Sequence, residues 1–234
     1  MEAIILAGGF GIRLQHVVSG LPKPMAPVNG RPFLEYILDY LIKQSIDRCV
    51  ISVGYKKESI INHFRHHYHS ITINYAIEEE PLGTGGGIRN SFLSILGDRA
   101  IVMNGDSIFL VTLNNMLHAH LKKRAEVTIA LREISDTGRY GRVTMNHRRR
   151  ISGFEEKRSQ GKPGYINTGV YIIEKKFLMG SQLTGAFSLE KDCFERCTAT
   201  NRIYGYPMQG YFIDIGVPED YERAQNDFKR FDRF

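Results

Sequence analysis

The sequence predicts an α/β fold in which a largely parallel sheet lies between two layers of helices. Its 234 residues, 42% of them apolar and 24% charged, are typical of one large globular domain and exclude a disordered or fibrous chain. Short apolar runs alternate with segments of helical periodicity through the first half of the chain. The first strand, residues 3–6, is apolar throughout, as expected when both faces of a sheet are covered.

The elements of the first half follow one another in β-α order. An amphipathic helix is predicted where apolar residues recur at helical spacing: Phe33, Leu34, Ile37, Leu38, Leu41 and Ile42. Further strands are expected at residues 49–53, 71–77 and 100–103. Further helices are expected at residues 58–64, after the glycine run 85–87, and at residues 113–121. This order favours parallel strands that are joined by helices.

The second half of the sequence is richer in strands. These are expected at residues 127–131, 142–145, 151–154 and 166–173, with few helices between them, which suggests antiparallel additions and a β-rich lobe. Pro218 opens a final helix, with Glu219 and Asp220 in its first turn. Since no Pro-, Gly- or Ser-rich linker and no repeat interrupts the sequence, we expect a single domain over residues 1–234.

Charge and composition limit the partners and the compartment. Thirty-one Lys and Arg residues against 25 Asp and Glu residues give a net charge of +6, which favours an anionic partner. The basic residues are scattered, and their densest run, 148–150, is typical of a hairpin turn, so no nucleic-acid partner is expected. No apolar run approaches eighteen residues, so no membrane partner is expected either. An odd number of cysteines favours a reducing compartment, and we expect a cytoplasmic protein.

Two clusters of candidate metal ligands are better explained by structure. Cys193 and Cys197 could share a helix face, but two thiolates without further partners do not complete a zinc site, so packing is the better interpretation. The histidines at 63, 66, 67 and 69 follow a predicted helix and are interpreted as its solvated end.

A glycine-rich turn follows the first strand and is the first candidate site. Gly8, Gly9 and Gly11 let the backbone approach a phosphate chain, and Arg13 adds donors suited to phosphate oxygens. Ten residues later, prolines on both sides stiffen the backbone at Lys23, a suitable phosphate ligand. The spacing fits neither a P-loop nor a dinucleotide fingerprint. The anion we expect is a nucleotide; the alternative is a tight connection between two elements that binds no ligand.

These segments occur together with others in a recognisable order. The chain contains, in sequence, LAGGFGIRL from residue 6, LPKPM from 21, EPLGTGG from 80, NGDS from 104, FEEK from 154, NTGVY from 167 and FIDIGVP from 212. On these seven motifs, which extend over nearly its whole length, the chain strongly resembles the sugar-1-phosphate nucleotidyltransferases.

The resemblance implies a fold and a reaction. The fold is a three-layer α/β/α sandwich with a Rossmann-like, mostly parallel mixed sheet, a nucleotide-binding half at about 1–110 and a sugar-phosphate-binding half at about 111–234. The reaction is in-line attack of a sugar 1-phosphate on the α-phosphorus of a nucleoside triphosphate. Arg13 would hold the β- and γ-phosphates, Lys23 the α-phosphate, and Asp106 with Asp214 an Mg²⁺ ion. No general base is expected, because the acceptor is already an anion.

The resemblance also implies two sets of binding residues. The nucleotide would be bound by Leu6, Ala7, Gly8, Gly9, Gly11, Arg13, Lys23, Glu78, Glu80, Gly83, Thr84, Gly85, Asn104 and Asp106. The sugar phosphate would be bound by Gly141, Glu155, Glu156, Lys157, Asn167 and Asp214. Glu78 or Glu80 could accept from the N1–H and N2–H₂ edge of guanine, and Thr84 is expected to cap the helix that follows. Lys157 would bind the acceptor's phosphate.

Within the family, the segments around Lys23 and Asp214 look most like the branch that transfers GMP from GTP to D-glycero-D-manno-heptose 1-phosphate. A uridylyl-, thymidylyl- or mannose-specific transferase is left open, as is a homodimer. A non-catalytic nucleotide-sugar-binding subunit on the same fold is disfavoured, since such a protein need not keep both metal-binding acids. A dehydrogenase is disfavoured because the GxGxxG motif is absent.

Overall fold

The structure of the protein, a computed structural model, describes residues 1–9, 20–155 and 161–229. The strands are β1 (Glu2–Leu6), β2 (Pro27–Val28), β3 (Arg31–Pro32), β4 (Arg48–Val53), β5 (His67–Tyr68), β6 (Ile71–Ile77), β7 (Arg99–Asn104), β8 (Ser107–Phe109), β9 (Val127–Ile134), β10 (Arg142–Met145), β11 (Ile151–Glu155), β12 (Gly164–Glu174), β13 (Ile203–Pro207) and β14 (Phe212–Asp214). The helices are α1 (Phe33–Lys43), α2 (Lys57–Phe64), α3 (Gly83–Ser91), α4 (Leu113–Lys122), α5 (Lys175–Met179), α6 (Glu195–Cys197) and α7 (Pro218–Asp227). A 3₁₀ turn covers Lys23–Met25, and a π-helical segment covers Leu189–Phe194.

The central sheet places β1 between two parallel neighbours. The strand order along its main path is β11-β10-β12-β7-β1-β4-β6-β5. From β1 the chain continues to β4 and β6 on one side and later to β7 on the other. Open α/β sheets bind their ligands at such a reversal, outside the carboxyl ends of the strands. Leu6 and Asn104, the last residues of β1 and β7, are register partners at this point.

The antiparallel additions that the sequence predicts are present in the second half. β12 runs antiparallel to β7 along one edge and antiparallel to β9 along the other. Its first half also pairs with β10, which forms a hairpin with β11. The arginine run 148–150 lies in the turn of that hairpin, where Asn146 Oδ1 accepts from two backbone N–H groups. The β-rich lobe is therefore an extension of the same sheet.

Both faces of the sheet are covered, which confirms the three-layer sandwich. Ala3 and Ile5 of β1 belong to a core that includes apolar residues of α1, α2, α4 and α7. Ile4 points to the opposite core, which includes residues of α3, α5 and the π-helical segment. Side chains alternate between the two faces of a strand. β1, which has no polar residue at its centre, therefore contributes apolar side chains to both cores.

The cysteines and histidines that the sequence offers as candidate metal ligands occupy separate places in the fold. Cys193 is buried in the second core, in agreement with a packing role. His66, His67 and His69 are exposed after α2, and no group of three or more potential metal-ligating side chains occurs in the described residues. No helix in residues 1–9, 20–155 and 161–229 is both long and apolar enough to span a bilayer.

Candidate functional site

A cavity of about 390 Å³ opens at the carboxyl ends of β1 and β7. It is lined by Leu6, Ala7, Gly8, Gly9, Lys23, Pro24, Glu78, Pro81, Gly83, Thr84, Asn104 and Asp106. Most of the residues predicted to bind a nucleotide are in this set. Gly11 and Arg13 lie outside the described residues, so the glycine-rich turn is seen only as far as Gly9.

Glu78 reaches into this cavity, whereas Glu80 is exposed and does not line it. Ser52 Oγ donates to Glu78 Oε1 at 2.6 Å, and the backbone N–H of Leu82 donates to Oε2 at 3.1 Å. A Cβ atom at Gly8 would lie 2.8 Å from Glu78 Oε1, so a glycine is required for this close approach. Of the two glutamates, Glu78 is therefore the one that the fold fixes at the cavity wall.

Two other predicted residues differ from expectation, Gly85 in its position and Thr84 in its hydrogen bonds. Gly85 does not line the cavity; a Cβ there would lie within 2.2 Å of the Phe187 ring, so this glycine serves packing. The expectation that Thr84 caps α3 is wrong, because the N-cap of α3 is Leu82. Thr84 Oγ1 instead accepts at 2.8 Å from the N–H of Leu189, at the start of the π-helical segment.

Lys23 and Asp106 meet at the floor of the cavity. Lys23 Nζ lies 3.2 Å from Asp106 Oδ2, and the lysine side chain is only 15% exposed. The 3₁₀ turn Lys23–Met25, with Pro24 at its first positions, holds the lysine backbone. On the other side, the N–H of Gly105 donates to Leu6 O at 2.8 Å and ties the Asp106 turn to the end of β1.

A short antiparallel ladder brings Asp214 to the same place. In the pairing of β8 with β14, Asp214 is the register partner of Ser107, the residue after Asp106. The N–H of Ile215 donates to Asp106 O at 2.9 Å, which fixes the two turns together. The two aspartates, 108 positions apart in sequence, are thus neighbours, as the metal hypothesis requires.

The environment of Asp214 disfavours its charged form. Burial, and then the negative charge of Asp106, raises the pKa of Asp214. The hydrogen bond from Gly216 N–H, 2.8 Å from Oδ1, and the charges of Arg139 and Lys23 act in the opposite direction. Two acids held together in this way carry an electrostatic cost that a cation between them would offset.

A second cavity, of about 520 Å³, shares Asn104 and Asp106 with the first. Its remaining lining residues are Ser107, Tyr140, Gly141, Arg142, Val143, Phe154, Glu155, Asn167, Thr168, Gly169, Tyr171, Ser188, Glu190, Lys191, Glu195, Phe212 and Asp214. The predicted sugar-phosphate residues Gly141, Glu155, Asn167 and Asp214 are all present. Glu156 and Lys157 lie outside the described residues.

Asn167 is held at a bulge of β12. The pairing of β12 with β9 shifts register between Asn167 and Tyr171, and Gly169 adopts a φ of +77° there. Asn167 Oδ1 accepts from Gly169 N–H at 3.0 Å, and Asn167 Nδ2 donates to Tyr171 Oη at 2.9 Å. A Cβ at Gly169 would lie 2.4 Å from Asn104 Nδ2, so the bulge needs glycine for both its backbone conformation and its packing.

The contacts of Gly141 and Glu155 hold these residues less firmly than Asn167 is held. Arg142 Nη1 lies 3.4 Å from Glu155 Oε1, and both side chains are about two-fifths exposed, so this ion pair contributes little stability. The N–H of Gly141 donates to Thr137 O at 2.9 Å and is therefore already used inside the protein.

Sequence reasoning missed two carboxylates of the second cavity, the exposed Glu195 and the half-buried Glu190. Glu190 lies in the π-helical segment Leu189–Phe194, and the hydroxyls of Thr84, Ser188 and Tyr171 donate to it. A signal was available, because a serine directly before an apolar residue, here Ser188 before Leu189, is typical of a helix N-cap. That pattern gives the helix boundary and not the side of the helix that faces a cavity.

Comparison with known proteins shows the family to which this chain belongs. Residues 2–230 match the protein family described as Nucleotidyl transferase. The chain is 45% identical to the D-glycero-alpha-D-manno-heptose 1-phosphate guanylyltransferase of Aneurinibacillus thermoaerophilus, over 99% of this chain and 100% of that protein. It is 40% identical to the protein of the same description from Campylobacter jejuni, over 94% of this chain and 97% of that one. The crystal structure of HddC from Yersinia pseudotuberculosis complexed with GMP-PN superposes with a TM-score of 0.87 at 35% identity, covering 97% of this chain and 99% of that chain.

Proposed function

Because this chain belongs to the nucleotidyl transferase family, we propose that it transfers GMP from GTP to D-glycero-α-D-manno-heptose 1-phosphate, giving GDP-heptose and pyrophosphate. The observation that carries the proposal is that two cavities meet at Asn104 and Asp106. The first cavity would hold GTP and the second the sugar phosphate. The α-phosphorus and the attacking oxygen would then meet where the cavities join.

The chemistry requires positioning and charge neutralisation more than covalent catalysis. An oxygen of the sugar 1-phosphate attacks the α-phosphorus, the bond from that phosphorus to the β-phosphate oxygen breaks, and pyrophosphate leaves. No proton has to be removed from the nucleophile, so no general base is invoked. Lys23, at the junction of the cavities, would stabilise negative charge that develops at the α-phosphate. Its contact with Asp106 keeps its ammonium group in place for that role.

Asp106 and Asp214 fit an Mg²⁺ site. They are adjacent acids from two different strand ends, and the raised pKa of Asp214 reflects a cost that a divalent cation would relieve. Mg²⁺ is commonly bound by one or two carboxylates together with substrate phosphates. When bound, the ion would supply charge neutralisation to the reacting phosphates. The protein's own contribution is to hold the two carboxylates at the junction.

Guanine recognition would fall to Glu78. Guanine presents two neighbouring donors, N1–H and N2–H₂, which uracil and thymine do not offer. Among the described residues, each oxygen of Glu78 accepts one hydrogen bond, from Ser52 or Leu82, which leaves each a further lone pair. The carboxylate is therefore oriented before a base arrives, which favours selective binding.

We also propose that the reaction takes place in the cytoplasm. Cys49, Cys193 and Cys197 are free thiols, which is consistent with a reducing compartment. The product is an activated sugar, so a glycosyl-transfer step would consume it.

A pyrophosphate-release assay tests the proposal. The purified protein with Mg²⁺ would be given GTP, ATP, UTP or dTTP, each with mannose 1-phosphate, glucose 1-phosphate or D-glycero-α-D-manno-heptose 1-phosphate. The highest kcat/KM is expected for GTP with the heptose. A higher value for mannose 1-phosphate would reassign the acceptor, and no release with any pair would contradict the proposed activity.

A further inference from the structure

Glu190 is a carboxylate on the wall of the second cavity that receives three hydroxyl donors. Tyr171 Oη donates to its Oε1 at 3.1 Å, and Thr84 Oγ1 and Ser188 Oγ donate to its Oε2 at 3.0 and 3.1 Å. The residue is half-buried. Within residues 1–9, 20–155 and 161–229 no ion pair of Glu190 with a cation is found.

Each of the three hydroxyls is itself fixed by an N–H group. Thr84 Oγ1 accepts from Leu189 N at 2.8 Å, and Ser188 Oγ accepts from Lys191 N at 3.2 Å. Tyr171 Oη accepts from Asn167 Nδ2 at 2.9 Å. Each hydroxyl therefore directs its single proton at Glu190, and a carboxylate, which only accepts, matches this arrangement. The orientation of the Glu190 side chain is set from three sides.

This arrangement leaves Glu190 able to accept one more hydrogen bond. A carboxylate offers about four lone-pair positions. Among the described residues, Oε2 accepts two hydrogen bonds and Oε1 one, so Oε1 retains a position with respect to them. Because the residue lines the cavity, a bound molecule can approach it.

The charge of Glu190 points to the kind of group that approaches it. A carboxylate repels phosphate, so Glu190 would weaken binding of an anionic acceptor unless it contacted donors on that acceptor. Its chain of hydrogen bonds leads through Tyr171 to Asn167, which would bind the sugar, and not to Asp106 or Asp214. Hydroxyls are the donors that a sugar carries, and hydrogen bonds to a charged acceptor are the stronger kind.

We propose that Glu190 determines acceptor specificity by accepting a hydrogen bond at Oε1 from one hydroxyl of the sugar. Thr84, Ser188 and Tyr171 are positioning residues for this contact. The inference rests on the proposed function, since it presupposes a sugar phosphate in the second cavity. Asp106 and Asp214 would lie at the phosphate and would not contact the sugar hydroxyls, so discrimination among sugars is assigned to Glu190.

The test combines Glu190→Gln with acceptors that each lack one hydroxyl. With the complete manno-configured sugar 1-phosphate, the variant should raise the acceptor KM about tenfold or more and leave the KM for GTP unchanged. With the one deoxy acceptor that lacks the contacted hydroxyl, wild type and variant should have equal kcat/KM. A loss of the same factor with every acceptor would show a merely structural role and overturn the proposal.

Two further variants keep the experiment decisive. Glu222→Gln makes the same chemical change at an exposed position of α7 and should have wild-type kinetics and discrimination. Glu190→Asp keeps the charge but shortens the side chain by one methylene, so it should show the same acceptor-dependent loss. This variant replaces Glu190→Gln in the test if Glu190→Gln fails to fold. Wild-type discrimination in a folded Glu190→Asp would overturn the proposal. Absence of activity in the wild type would instead contradict the proposed function.

Discussion

Lys23 Nζ lies 3.2 Å from Asp106 Oδ2, across 83 positions of sequence, at the junction of the two cavities. Asp214 adjoins the same point, because it pairs with Ser107 in the ladder of β8 and β14. In the described part of the chain, the positive charges of Lys23 and Arg139 therefore act on two adjacent acids.

Replacement of Lys23 by alanine should lower kcat at least about tenfold, because a charge that stabilises the transition state is lost. The fold should persist, since the 3₁₀ turn is set by backbone and proline. Steady-state kinetics and the melting temperature check both points. Lys176→Ala, an exposed lysine of α5, is the matched control and should behave as wild type. Unchanged kcat in Lys23→Ala would remove this lysine from the mechanism.

Replacement of Asp214 by asparagine should abolish Mg²⁺-supported activity. The same change should not lower the melting temperature of Mg²⁺-free protein at pH 7. The folded protein raises the pKa of Asp214, so the stability contributed by the protonated form is lost as pH rises through that pKa. Asparagine resembles the neutral form and can keep the hydrogen bond from Gly216. Full activity in the variant would refute the proposed metal site.

Gly8 and Gly9 form a matched pair for the close approach of Glu78. Gly8→Ala should lower the melting temperature of the ligand-free protein, because its Cβ would lie 2.8 Å from Glu78 Oε1. Gly9→Ala should leave that temperature nearly unchanged, since a Cβ there meets nothing within 4 Å in the described part of the chain. Differential scanning fluorimetry measures both. Equal effects would show that Glu78 tolerates displacement.

Guanine selectivity should be visible in ligand binding without turnover. If Glu78 recognises guanine, GTP should raise the melting temperature more than UTP or dTTP at equal concentration, because stabilisation follows affinity. Glu78→Gln should reduce the advantage of GTP. An equal response of the wild type to all three nucleotides would contradict the guanylyl assignment.

Acid sensitivity of the fold should depend on His120. Burial lowers the pKa of His120, against the hydrogen bond and charge of Glu174, whose Oε1 lies 3.1 Å from Nε2. The unfolded chain therefore takes up a proton near pH 6.5 that the folded protein does not, and stability is lost as pH falls below that value. Urea unfolding at pH 7 and 5.5 should show a smaller loss for His120→Gln than for wild type. His118→Gln, at an exposed position, should keep the wild-type loss.

The strands of the central sheet were predictable because short apolar or alternating segments are typical of strands in a buried sheet. Residues 71–77 are a strand with the predicted bounds, and the predicted strand 100–103 is extended by one residue at each end in β7. In α/β sheets, ligands bind at the carboxyl ends of the strands. This rule and the motif resemblance together point to the strand ends at Leu6 and Asn104.

The remaining parts of the site depend on features that leave no sequence period. β8 and β14 have three residues each, too few for alternation to be read, yet their pairing is what brings Asp214 to Asp106. The sequence predicts that Thr84 caps its own helix, whereas in the structure its hydroxyl hydrogen-bonds to Glu190 and Leu189, more than a hundred positions away. Such contacts are decided by tertiary packing.

The eleven-residue strand β12 has a consequence for how the chain can be divided. It hydrogen-bonds to β7 of the first half and to β9 and β10 of the second. The sheet of each half is therefore completed by the same strand. A fragment that ended near residue 110 would leave β7 with a bare, apolar edge, which is a template for aggregation. We therefore expect the polypeptide to melt in one cooperative step, and severed halves to regain structure only when they are refolded together.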